Sequence, residues 1–341
     1  MTSTAPVGSG SPERWAAFPN HTSRSTSLKS EAEIISTIAS SGAKALRPTS
    51  DSPRWKALDT IQWLLTVATV GVALFLPLTG SMAPGSVLPF TLPFVLLHGL
   101  RRYGWRRFLT FFVVTVIVSL FLENLSVETG FPFGAYHYNG GPLIFHVPLM
   151  VPPIYFSLGY LSWLCASVVL DRADENLDKR GRTGRVNLAA LPMLAAAAIT
   201  MYDVAADAQA STVEQLWTWH DGGGMFGVPY TNYVGWWFTT YVYFQIFALI
   251  LGRAQGAAVP GSRIVNRSSL IQPVLIYAAL GLSFVSYFVK ADVGTVIDNT
   301  GAAWNTGALN ETAMIVGLFS VVVLACVAFA KIIRGDTASP R

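Results

Sequence analysis

The sequence predicts an all-α polytopic transmembrane helical bundle of about eight spans, with N- and C-termini cytoplasmic. Three observations carry that expectation. Charged residues make up 12% of the 341 and hydrophobic ones 52%, whereas a soluble domain carries about 25% charged residues. That leaves too little polar surface to wrap a water-soluble globule, and the mean hydropathy of +0.46 agrees. Eight apolar segments follow one another, most of them near the ~20 residues needed to cross a bilayer core. Finally, all of the 23 Lys and Arg except Lys290 fall on the tails and on every second connection, the pattern of cytoplasmic loops.

In chain order, residues 1–50 are rich in Ser, Thr, Ala and Pro and read as a disordered cytoplasmic tail. The membrane domain is expected over 51–335, with a short C-terminal tail at 336–341. Its spans lie near 58–78, 84–100, 108–126, 147–170, 188–206, 231–251, 270–290 and 311–333. The second is short and carries Pro84, Pro89 and Pro93. It is either a full span or a broken, re-entrant one, which would leave seven. Arg101, Arg102, Arg106 and Arg107 follow segment two, Arg172 to Arg185 follow segment four, and Arg253, Arg263 and Arg267 follow segment six. The net charge of +4 therefore speaks of membrane orientation rather than of nucleic acid.

The connections on the other face differ. Three are long, near 127–146, 207–230 and 291–310, and rich in Gly, aromatics and amides. Loops of that length without evident secondary structure are often functional. FPFG at 131–134 and MFGVP at 225–229 echo each other, as an internal duplication would leave them. Cys165 and Cys326 sit in apolar runs without metal spacing, His137, His146 and His220 show no HxxH or HxxxH, and no nucleotide, flavin or haem motif is visible. No metal and no cofactor is expected.

Two acids lie well inside predicted spans, and a third lies just past the end of one. Glu123 and Asp203 are each placed roughly 22 Å along their helices, at a rise of 1.5 Å per residue, and so at one depth. Asp207 follows Asp203 by one helical turn and shares its face. A charged side chain costs about 2.5–3.5 kcal/mol at the bilayer centre, and no Lys or Arg is at hand on this face to pair with these. Such acids either tie helices together through amides, hydroxyls or indoles, or serve as general acids in an apolar pocket. Trp217, Trp219, Phe226, Tyr230, Tyr233, Trp236 and Trp237 crowd one loop and the start of segment six, with Tyr136 and Tyr138 in the earlier loop. They form either an interfacial belt or a π-lined pocket for a cation.

The blocks that hold these residues resemble a known family. ENLSVETGFPFGAYHY, from Glu123 to Tyr138, and VPLMVPPIYF at 147–156 resemble one block of the carotenoid biosynthesis membrane proteins. Tyr202 to Trp237 resembles a second, with Asp203 and Asp207, Trp217 and Trp219, and the Gly–Phe–Gly–Val–Pro run from Gly224 to Trp236. The likeness spans roughly 58–333. It departs at Tyr202, where a Trp is usual, and at Ala208, where a Pro is usual.

The family includes cofactor-independent hydratases of acyclic carotenoids. The resemblance implies addition of water across the terminal C1–C2 double bond of a lycopene-like end group. Implied catalytic residues are Glu123, Asp203 and Asp207. Implied substrate-binding residues are Tyr136, His137, Tyr138, Trp217, Trp219, Phe226, Asn232 and Trp236, with His137 or Tyr136 positioning water. The implied partners are an acyclic carotenoid, water, membrane lipids and other enzymes of the pathway, and the implied location is the cell membrane with the site toward its extracytoplasmic side. Two other readings stay open: a related carotenoid end-group cyclase or isomerase using the same acids, and a non-enzymatic lipid- or carotenoid-binding protein.

Overall fold

The computed structural model describes residues 53–79, 86–256 and 266–335. The predicted tails at 1–50 and 336–341 lie outside these. Ala57–Arg341 forms one compact unit. Its helices are α1 (Pro53–Phe75), α2 (Leu88–Tyr103), α3 (Trp105–Thr129), α4 (Val151–Val169), α5 (Arg182–Ala208), α6 (Tyr230–Gly256), α7 (Arg267–Lys290), α8 (Thr306–Val316) and α9 (Val323–Arg334). A π-helical turn, Gly317–Val322, joins α8 and α9 into one long span.

Among the described residues, seven helical segments are long and apolar enough to cross a membrane. The Pro-rich second segment is not among them. Its helix, α2, has 16 residues, or about 24 Å against a core of about 30 Å. It nevertheless returns the chain to the end where α1 begins, because Arg101 Nη2 donates to Asp59 Oδ1 at 2.6 Å. Trp63 Nε1 to Ser268 Oγ at 2.8 Å, Gln255 Nε2 to the Asp174 carbonyl at 2.6 Å and Lys331 Nζ to Asp171 at 2.6 Å gather other ends there. So the starts of α1 and α7 and the ends of α2, α4, α6 and α9 share one end, which carries the basic residues.

Some boundaries move for local reasons. α4 starts at Val151 rather than 147, since Pro152 and Pro153 suit a helix start and Val147–Pro148 is a strand. The last span starts at Thr306, five residues before 311, because Asn305 caps it, accepting from Ala308 N at 2.8 Å. The connections at the other end are not structureless, as the sequence suggested. They hold β1 (Tyr136–Tyr138), β2 (Leu143–Ile144), β3 (Val147–Pro148), β4 (Trp217–Trp219), β5 (Thr295–Ile297) and β6 (Ala303–Asn305). β1 pairs with β4, β2 with β3 and β5 with β6, all antiparallel.

α4 is the hub, touching α2, α3, α5, α7 and α9. It is apolar all round, so every face can be buried, and Tyr155 to Val168 are. Phe111, Phe156, Trp163, Phe244 and Phe247 fill the space around it. Packing of the last span on α7 depends on Gly317, where an added Cβ would lie 2.9 Å from the Gly281 carbonyl oxygen.

One charge from the basic end is buried, against the expectation of a loop cation. Arg102, in the last turn of α2, forks onto Asp174 with contacts of 2.8–3.0 Å. Tyr103 and Ser167 hydroxyls also donate to Asp174. Burial alone would lift the Asp174 carboxyl, but the Arg102 guanidinium and these hydroxyls hold it below the usual range. Removing one partner of a buried pair strands the other at a cost of roughly 3–5 kcal/mol. Asp174→Ala is therefore expected to lower the unfolding midpoint in detergent markedly, and adding Arg102→Met to recover most of the loss. A single variant as stable as the parent would contradict this.

Candidate active site

The three predicted acids meet at the end of the bundle opposite Arg102. Asp203 and Asp207 lie one turn apart on α5. Past Ala208 that helix widens into a π-helical turn, Gln209–Val213, a device that often marks functional sites. The turn brings Ser211 Oγ to Asp207 Oδ1 at 2.9 Å. Asn232, in the first turn of α6, donates from Nδ2 to Asp203 Oδ2 at 3.0 Å and to Asp207 Oδ2 at 2.5 Å. One amide thus bridges two carboxyl groups.

Glu123, on α3, is held differently. Its Oε1 accepts from the Tyr155 hydroxyl at 2.7 Å. Its Oε2 accepts from Tyr138 at 3.1 Å and from Tyr136. All three acids and Asn232 are buried. Among the described residues none of the three acids makes an ion pair.

The strand pair explains how the tyrosines reach Glu123. Alternate strand residues share a face, so Tyr136 and Tyr138 point together, opposite Trp219 and Trp217. The cross-strand rings pack at centroid distances of 4.9 and 6.0 Å. Asn139 Nδ2 donates to the Gln215 carbonyl at 2.7 Å and closes the ladder. Burial, and then the neighbouring Glu123 carboxyl, push the Tyr136 and Tyr138 phenols well above their ordinary range. They remain protonated donors at any physiological pH. The other wall is set by Gly235, where a Cβ would lie 2.7 Å from the Phe133 ring. Its absence lets α6 lie on the FPFG turn and carry Trp236 onto Tyr155, the rings stacked at 4.3 Å and 10°.

These groups line one cavity of about 420 Å³, within the ~300–1,000 Å³ typical of ligand sites. The Asp203–Asp207–Asn232 cluster and Glu123 with its tyrosines are its polar patches. Between them lie aromatic faces, which stabilise a cation without bonding to it. Such a site can hand over a proton, shelter positive charge and accept a proton elsewhere on its wall.

Nine of the residues singled out in the sequence line this cavity: Glu123, Tyr136, Tyr138, Asp203, Asp207, Trp217, Trp219, Asn232 and Trp236. His137 and Phe226 do not. His137 points from the other face of β1, exposed, with its Nδ1 2.9 Å from His220 Nε2. Phe226 has φ of 54° and packs against Trp304 of β6, at 5.7 Å between ring centroids. Tyr155 was missed. Its signal was a tyrosine early in an apolar helix, since a buried phenol needs a partner for its hydroxyl.

A family model described as "Carotenoid biosynthesis protein" matches residues 85–299. No curated protein and no solved structure matches the chain. The matched stretch runs from just before α2 into the β5–β6 hairpin and contains every group that lines the cavity. The chain belongs to the carotenoid biosynthesis protein family.

Proposed function

We propose that the chain is a hydratase that adds water across the terminal C1–C2 double bond of an acyclic carotenoid. One observation supports this above others. A carboxyl pair bridged by one amide and a carboxyl ringed by three hydroxyls share a single apolar, aromatic-walled cavity.

The chemistry divides between the two clusters. In the Asp203–Asp207 pair one amide bridges two carboxyls, and in this reading one of the two carries a proton. It holds the proton and delivers it to C2. The C1–C2 π electrons form the new C–H bond and leave a tertiary cation at C1. The faces of Tyr155, Trp236 and Trp219 shelter that cation. Glu123 accepts from three hydroxyls and so serves as acceptor. It orients a water molecule whose oxygen bonds to C1, and it takes the proton that the new oxonium loses. Net, one water is added: Glu123 releases the proton it took to solvent and the aspartate pair regains one from it. A cyclase needs the same proton donor and also a base for its ring cation, and differs in needing no water; the hydroxyls gathered at Glu123 suit the holding of a water and favour hydration. By the positive-inside rule the basic end faces the cytoplasm. The cavity then lies toward the extracytoplasmic side of the cell membrane.

Expression in cells that accumulate lycopene, with pigments read by mass, tests the reading. A gain of one water, or of two where both ends react, is the expected product. An isomer of unchanged mass points to a cyclase. No product despite folded protein in the membrane contradicts both enzymes and leaves a binding protein.

The division of labour has its own test. Asp203→Asn and Glu123→Gln are each expected to lower turnover at least a hundredfold while membrane insertion is kept, given the 10²–10⁴-fold typical of acid–base groups. Tyr155→Phe, which removes one donor to Glu123, is expected to lower it by a smaller factor. Wild-type turnover in both acid variants would remove the carboxyl assignments.

A further inference from the structure

The cavity is small for the molecule proposed to use it. At about 420 Å³ it is of the size that encloses a drug-sized ligand. A carotenoid is a long, stiff polyene, so only one end fits and the remainder stays outside. In water that remainder would carry a cost that grows with every methylene-sized group exposed. The position of the mouth therefore decides whether such a ligand can bind at all.

The walls give that position. Val151, Ile154 and Leu158 form one stripe along α4, at the i, i+3 and i+7 spacing of a single helix face, and Ala206 of α5 with Ala210 of the π turn that continues it form another. The two stripes meet at the ends of these helices. There Met150, just before α4, and Leu216, just before β4, both line the cavity and expose 49% and 40% of their surfaces. Beside Met150, Leu143, Phe145 and Leu149 are exposed as well. Asn139, Gly140, Gly141 and Gln215, also exposed in the lining, make one side of the mouth polar, whereas clustered exposed apolar side chains like those around Met150 suit contact with lipid or ligand. Among the described residues no Lys or Arg lines the cavity, so nothing in it would hold the anionic head of a prenyl diphosphate.

We propose that the cavity opens sideways into the bilayer between the start of α4 and the end of α5, with Met150 and Leu216 as its lips. The uncharged polyene enters end first, and its remaining length stays among the lipid chains. The occupant rests on the reading of the site given above; the lipid-facing mouth can be measured without any turnover.

The experiment uses the full chain in vesicles, with Cys326, the exposed native cysteine, replaced by serine. Single cysteines at Met150 or Leu216 carry an environment-sensitive fluorophore, and Asp221→Cys and Phe319→Cys serve as the water and lipid controls. Phospholipid nitroxides are expected to quench positions 150 and 216 nearly as strongly as 319. Aqueous iodide should quench them several-fold less than 221. Lycopene dissolved in the bilayer should then shield both positions from the nitroxide. Strong iodide quenching with weak nitroxide quenching would overturn the lateral mouth. Nitroxide quenching that lycopene leaves unchanged would overturn the occupant. Shielding without any hydrated pigment would sink the hydratase assignment and leave the route standing.

Discussion

Three carboxyl groups inside a membrane-crossing bundle, with no cation beside them, are the constraint on which the rest of this structure depends. A carboxyl in such a place must find neutral donors, because an unsatisfied one is expensive. The fold supplies them from four separate elements. β1 brings Tyr136 and Tyr138, α4 brings Tyr155, the π turn brings Ser211 and α6 brings Asn232. Each irregularity at this end serves that supply. The β1–β4 ladder aims two tyrosines inward, the π turn rotates a serine onto its own helix's acid, and Gly235 lets α6 come close enough for its neighbours to act.

The other end of the bundle solves the opposite problem. Arg102 is buried there too, but it meets Asp174 in a forked pair, with Tyr103 and Ser167 completing the shell. Full pairing suits a joint between helices and leaves little for chemistry. Among the described residues the acids of the cavity are held by neutral groups alone. The contrast fits a structural joint at one end and, on the proposed function, the chemistry at the other.

Much of this was legible in the sequence, and the reasons are specific. The succession of apolar helices and the gathering of basic residues toward one end followed from hydropathy and from the Lys and Arg distribution, since both reflect transfer into lipid residue by residue. Glu123, Asp203 and Asp207 stood out because acids in apolar runs are rare. Their meeting at one cavity was only hinted at by matched depth. The pairing of β1 with β4 was not legible, because three-residue strands within Gly-rich loops carry no periodicity to read. For the same reason His137 and Phe226 were grouped with the pocket. Only the strand's alternation turns His137 outward, and only the positive φ of Phe226 sends its ring toward Trp304. Arg102 looked like every other loop cation until its partner, far along the chain, was placed beside it.

On the proposed function the carboxyl clusters move one proton in and one proton out around a sheltered cation. Isotopes follow both. Purified protein in lipid, given an acyclic carotenoid in deuterated, ¹⁸O-enriched water, should yield a tertiary alcohol with one deuterium at C2 and the heavy oxygen at C1. A product that lacks either label, or folded protein that returns the carotenoid unlabelled and unchanged, would contradict it.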